Sequence, residues 1–161
     1  MEIIKTPIKD LVVIKPRVFA DARGFFFETY NEERYRKAGI TQQFVQDNMS
    51  KSSYGVVRGL HFQRPPYSQA KLVQVIEGAV LDVAVDLRSD SETYGQWYAV
   101  ELTAENHLQF LIPRGFAHGF AVLSETAIFS YKCDNFYHPE ADGGVIYNDP
   151  TLNIDWGIPA D

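Results

Sequence analysis

Val80-Leu81-Asp82-Val83-Ala84-Val85-Asp86-Leu87, entered through the turn-forming pair Glu77-Gly78, is the stretch whose reading decides the fold. It has the length of a strand and the valine content that a pleated surface favours, with a glycine turn in front of it. Working outward, the same pattern recurs along the chain. Leu11–Ile14, Phe25–Thr29, Phe44–Asp47, Val56–His61 and Leu72–Ile76 precede it; Trp97–Leu102, Leu108–Ile112, Phe120–Leu123, Ala127–Cys133 and Val145–Tyr147 follow. Each is rich in Val, Ile, Phe or Tyr and bounded by Gly, Pro, Asn, Asp or Ser. One segment reads as a helix, Asn31 to Gly39: Asn31 caps it, acids fill its first turn, bases follow, and Gly39 ends it. A chain of roughly ten short strands and one or two short helices is all-β, a sandwich or a barrel. Periodicity alone does not separate a jelly roll from an immunoglobulin-like sandwich.

The chain has 161 residues, which predicts a single domain over 1–161. At this size about 70% of the unfolded surface is buried on folding. With 45% hydrophobic and 14% aromatic residues it builds a real core and falls outside the composition of disordered chains. No apolar run is long enough to span a bilayer, and the opening Met1-Glu2-Ile3-Ile4-Lys5 is unlike a signal peptide, so no membrane partner is expected. A lone cysteine, Cys133, cannot make an intrachain disulfide, and the expected location is cytoplasmic. The net charge of −6 argues against nucleic acid as a partner but not against a small anionic ligand held by a few local cations.

Two motifs favour the jelly roll. Arg58-Gly59-Leu60-His61-Phe62-Gln63 ends one strand, and Ile112-Pro113-Arg114-Gly115-Phe116-Ala117-His118-Gly119-Phe120 carries a Pro-x-Gly-x-x-His spacing. Together they resemble the two halves of the cupin signature, which implies a double-stranded β-helix. Metal-binding cupins supply His-x-His in the first half, but here the sequence reads His61-Phe62-Gln63. Glutamine is a poor substitute for imidazole at a transition metal. The metal site reads as dismantled, with no metal and no cofactor expected.

Arg58 and His61, three apart, would point to opposite faces of a regular strand. A bulge or bend at Gly59 would bring both to one pocket. Lys71 and Arg23 are further cations that an anionic ligand would partner. At this point the resemblance becomes specific. Phe19 through Glu28, Val45-Gln46-Asp47-Asn48, Arg58 through Gln63, Ala84 through Arg88, Pro113 through Phe120 and Phe129-Ser130-Tyr131-Lys132 resemble the dTDP-4-dehydrorhamnose 3,5-epimerase family over nearly the whole chain. The resemblance implies that His61 is the base and Tyr131 the acid. It further implies ligand contacts from Arg23, Glu28, Gln46, Asn48, Arg58, Lys71, His118 and Tyr137. Asp142 stands where the family more often has glutamate.

The residue types suit the chemistry on independent grounds. A carbon beside a ketone loses its proton because the anion spreads onto the carbonyl oxygen, and histidine is the natural base near neutral pH. Lys71 is the candidate to face the enolate oxygen. A tyrosine hydroxyl stays protonated until it delivers its proton to the opposite face. Arginine forks suit phosphate.

The resemblance also implies a homodimer, with Met1–Pro16 as the interfacial piece or else an edge strand of its own sheet, and a nucleotide-sugar substrate. Members of the family continue past Trp156 through Asp161, into a tail that supplies a carboxylate paired with the catalytic histidine and a further lysine. That tail is cut away, left unrecorded or never encoded; in the last case Asp82 or Asp86 could orient His61, if strand alternation places one of them inward. Three other readings compete: an enzyme that inverts one carbon or moves the ketone, a catalytically impaired sugar-nucleotide-binding module, and a metal-dependent cupin.

Overall fold

The structure is a computed structural model that describes residues 1–159. Ala160 and Asp161, and with them the end of the predicted domain span, lie outside the described residues. Among the described residues thirteen strands and one α-helix form, in chain order: β1 (Glu2–Lys5), β2 (Val12–Lys15), β3 (Phe19–Asp21), β4 (Gly24–Phe26), α1 (Glu32–Lys37), β5 (Gln46–Ser53) and β6 (Val57–Gln63). They continue with β7 (Lys71–Glu77), β8 (Ala79–Asp86), β9 (Trp97–Thr103), β10 (Gln109–Ile112), β11 (Phe116–Val122), β12 (Thr126–Cys133) and β13 (Asp142–Gly144). A single 3₁₀ turn covers Pro139–Ala141.

The strands build two antiparallel sheets, one ordered β1-β2-β10-β7-β12-β5 and the other β13-β6-β11-β8-β9. This is an all-β jelly roll. The stretch Val80–Leu87 becomes β8, inside the second sheet, where residues 82–86 are all buried on both faces. Residues from both sheets meet in one core: Val73, Phe110 and Phe129 from the first, Val80, Leu102 and Phe120 from the second. Burying side chains of this size contributes on the order of 2 kcal/mol each.

Several sequence expectations need correction. The apolar run Val145–Tyr147 is not a strand of its own: β13 ends at Gly144, Val145 still exchanges two backbone hydrogen bonds with Leu60, at 3.0 and 3.1 Å, and the pairing ends there. Residues 146–158 instead run as an irregular strap across the outer face of the second sheet. There Leu152, Ile154 and Trp156 pack on Leu60, Val83 and Ala121. The strap is fixed by the Trp97 indole donating to the Leu152 carbonyl at 2.9 Å and the Trp156 indole donating to the Tyr147 carbonyl at 2.8 Å. Phe25–Thr29 is shorter than expected: β4 ends at Phe26 and pairs only with β3, as a separate two-stranded hairpin. Phe44–Asp47 shifts and lengthens into β5.

The helix forms where expected. The Asn31 side chain accepts from the Arg34 amide at 3.1 Å, and Gly39 follows the C-cap with φ +95°. Its one buried residue, Tyr35, packs with Ile14, Leu72 and Leu111 on the outer face of the first sheet. The N-terminal β1 is the edge strand of that sheet, paired with β2 of the same chain.

Candidate active site

Register places the polar side chains. On β12, Tyr131 pairs with Asn48 of β5 on one side and Val73 of β7 on the other. One pleat repeat away, Cys133 lies between Gln46 and Lys71. Paired positions share a face, so Gln46, Asn48, Lys71 and Tyr131 form one patch on the inner side of the first sheet. The second sheet answers with His61 of β6 directly opposite His118 of β11.

Arg58 joins them because β6 is irregular. His118 pairs with His61 and Phe120 with Arg58, so two steps on β11 match three on β6. Gly59 makes this possible. It sits at φ +133°, and a Cβ there would come within 2.5 Å of the Gly119 Cα. Only two facing glycines allow the strands so close. The expected irregularity at Gly59 is present, and Arg58 and His61 line the same cavity.

That cavity, of about 150 Å³, adjoins another of about 230 Å³, and the two share Asn48, His61, Lys71 and Tyr131. His118, Phe120 and Phe129 line the inner lobe; Gln46, Tyr137 and Asp142 line the outer one. A larger cavity of about 470 Å³ beside Tyr147 and Trp156 has no histidine, lysine or arginine in its lining. The chemistry belongs to the two-lobed cleft.

Charge in the cleft is arranged for proton transfer. Burial, then the neighbouring Lys71 ammonium, pushes the His61 imidazole below its ordinary range, with Asp142 opposing. His61 is therefore held toward its neutral form at neutral pH. Burial likewise lowers Lys71, although the nearby Cys133, Asp82 and Asp142 favour its charged form. Burial raises the Tyr131 hydroxyl, with Asn48 and Arg58 opposing, so it holds its proton. The Lys71 ammonium lies 5.5 Å from the centre of the Tyr131 ring. Arg58 is steadied by its Nε donating to the Ser52 hydroxyl at 2.7 Å.

The expectation that Asp82 or Asp86 orients His61 is not met. Asp82, wholly buried, places both carboxylate oxygens 2.9 Å from Nε2 of His118. Asp86 is taken up by Arg88, Ser91 and Thr93. Among the described residues no carboxylate hydrogen-bonds His61. Asp82 is the partner of His118, an assignment that sequence reasoning missed. Strand alternation put it inward, but the diagonal pairing across β8 and β11 is invisible without register.

Two predicted ligand contacts stand apart from the cleft. Arg23, at the tip of the β3–β4 hairpin, is exposed and pairs with Asp21 at 2.6 Å. Glu28 pairs with Arg34 and borders a different cavity, with Phe19 and Phe26. As for a metal, among the described residues no three His, Cys, Asp or Glu side chains cluster in a way that would hold one. The Gln63 amide, at the position of a cupin ligand, is bonded to backbone instead.

A sequence profile described as dTDP-4-dehydrorhamnose 3,5-epimerase matches residues 5–161. The chain belongs to the dTDP-4-dehydrorhamnose 3,5-epimerase family. The Escherichia coli K12 enzyme of that name is 52% identical over 97% of this chain and 85% of its own length. The crystal structure of the Elizabethkingia anophelis NUHP1 enzyme superposes with a TM-score of 0.95 at 61% identity, covering 99% of this chain and 88% of that one. The Legionella pneumophila Philadelphia 1 enzyme, solved with dTDP-4-keto-L-rhamnose, gives 0.95 at 52% identity over 99% of this chain and 85% of its own. Family membership makes this chain an epimerase, an isomerase by reaction class. Most of the motif residues, though not Arg23 and Glu28, gather in the jelly-roll cleft; among the described residues no helix is long and apolar enough to cross a membrane.

Proposed function

We propose that this chain converts dTDP-4-dehydro-6-deoxy-D-glucose to dTDP-4-dehydro-L-rhamnose by inverting C3 and C5, with His61 as base, Tyr131 as acid and Lys71 facing the enolate oxygen. His61 takes the proton from the carbon beside the ketone, and the electron pair left behind moves onto the C4 oxygen. Lys71 stabilises that charge by its ammonium, inside a cleft where water screens it poorly. Tyr131 then returns a proton to the other face as the carbonyl re-forms, so the configuration inverts with no net change in atoms. The observation that carries this reading is the convergence of His61, Lys71 and Tyr131, from three different strands, on one cleft.

Arg58, Gln46, Asn48, His118, Tyr137 and Asp142 hold the nucleotide sugar, with Asp82 fixing the His118 ring. Arg23 and Glu28 complete the site from outside. A homodimer is the economical way to bring them in. The hairpin that carries Arg23 presents Phe19, Phe25 and Phe26, each more than half exposed, which a second copy would cover. A cytoplasmic setting suits the buried free thiol of Cys133. The product would feed a deoxysugar pathway such as that of rhamnose in surface polysaccharide.

The test is NMR of dTDP-4-keto-6-deoxyglucose in deuterated water, with the chain and with its His61→Ala variant. Deuterium at both carbons flanking the ketone, lost in the variant, supports the double epimerase and its base. Deuterium at a single carbon makes it a mono-epimerase. None at either, with substrate bound, leaves a binding module.

A further inference from the structure

Tyr137 is 55% exposed at the mouth of the cleft, on a stretch with no ladder of its own. Between the end of β12 and the 3₁₀ turn, the backbone from Asp134 to His138 forms neither strand nor helix. Side chains hold it instead. Gln46 Oε1 accepts from the Tyr137 amide at 3.0 Å. Gln63 secures both flanks: its Nε2 donates to the Phe136 carbonyl at 3.2 Å, and its Oε1 accepts from the His138 amide at 2.8 Å. The same Nε2 donates to the Tyr67 carbonyl at 2.6 Å, tying in the loop whose Tyr67 ring stacks on His138 at 3.8 Å. The two peptide planes on either side of Tyr137 are thus fixed by two glutamines.

Both glutamines line the outer lobe, but Gln63 is only 7% exposed and spends every polar atom on backbone. An amide suits this place because it offers a donor and an acceptor on adjacent atoms. A carboxylate has no donor for two carbonyls, and a hydrocarbon would leave three backbone groups without a partner. From this geometry we propose that Gln63 is a positioning residue, which sets the affinity for the nucleotide sugar through Tyr137, with no polar atom of its own left for the ligand. The proposal rests on Tyr137 being a ligand contact, as in the reading above. Gln63 lies two residues from His61 on the same strand, yet its influence runs to the rim of the cleft and not to the proton transfer.

The experiment compares Gln63→Leu with the unaltered chain, each alone and combined with Tyr137→Ala, by kcat and KM for the keto sugar and by calorimetric Kd for dTDP. Gln63→Leu is expected to raise KM and Kd about tenfold, the worth of one ordinary hydrogen bond, with kcat at saturation kept within about twofold. In the Tyr137→Ala background the same substitution should add little. A fall in kcat with KM unchanged, or losses that simply add, would overturn the proposal. If Tyr137→Ala alone leaves KM untouched, the ligand-contact reading of Tyr137 fails, and the Gln63 proposal with it. If Tyr137→Ala raises KM but Gln63→Leu does not, the Gln63 proposal alone fails. Should Gln63→Leu not fold, Gln63→Asn keeps the polarity but falls one methylene short. It carries the same expectation, and a normal KM in that folded variant sinks the proposal.

Discussion

The floor of the cleft and the β3–β4 hairpin are equally prominent as sequence motifs, yet the fold treats them in opposite ways. His61, Lys71 and Tyr131 stand on long strands with partners on both sides, above a stacked pair of rings, Phe120 and Phe129, 4.2 Å apart. Arg23 stands in the turn of a hairpin of three-residue strands, with an ion pair to nearby Asp21 and three exposed phenylalanines on those strands. Rigid sheets hold reacting groups to tolerances that proton transfer needs. A short hairpin with little core beneath it is suited to gripping, and to being gripped by another surface. The contrast teaches that a motif marks membership of a site but not the element's mechanical job.

Breaking the floor should give the largest effect. His61→Ala is expected to lower kcat by about a thousandfold, the usual range for a lost general base, with little change in dTDP affinity. A variant that keeps its kcat would end the assignment. Next, Tyr131→Phe should cut formation of the inverted product about a hundredfold while solvent deuterium still enters the substrate, since abstraction survives and delivery to the far face does not. Equal loss of exchange and inversion would make Tyr131 a binding group only.

The hairpin should respond differently. Arg23→Ala is expected to raise KM about tenfold with kcat unchanged, as lost ligand grip does. Phe25→Ser with Phe26→Ser should shift sedimentation toward the monomer. A dimer that survives both changes would separate the hairpin from assembly. The smallest effect sharpens the electrostatics of the floor. The acid limb of kcat/KM belongs to His61: as pH falls through its depressed pKa, below about 6.5, the imidazolium can no longer accept a proton. Lys71→Met removes a neighbouring positive charge, so the His61 pKa measured by NMR should rise. A fall, or no movement, would remove Lys71 from the causes of the shift.

Much of this was legible in the sequence, for physical reasons that differ by element. Val80–Leu87 declared itself because β8 is buried on both faces. Most of β5 did not, because Gln46, Asn48 and Ser50 line the cleft and Ser52 accepts from Arg58, where a core strand would carry valines. A strand that lines a site loses the hydrophobic signature that makes strands readable. Val145–Tyr147 misled in the opposite direction: only Val145 pairs, with Leu60, and packs on the sheet, while Ile146 and Tyr147 are exposed at the start of the strap. The gathering of Arg58 with His61 followed from one glycine. The Asp82–His118 pair and the displacement of Arg23 needed register and three dimensions.

The strap has a practical consequence for how this protein can be watched. Both tryptophans of the chain, Trp97 and Trp156, sit at its seam with the second sheet, each with its indole nitrogen bonded to a carbonyl between residues 147 and 152. Neither borders the cleft. Intrinsic fluorescence is therefore a built-in gauge of the C-terminal segment lifting from the sheet during denaturation. Titrations that follow the filling of the cleft call for a different optical signal.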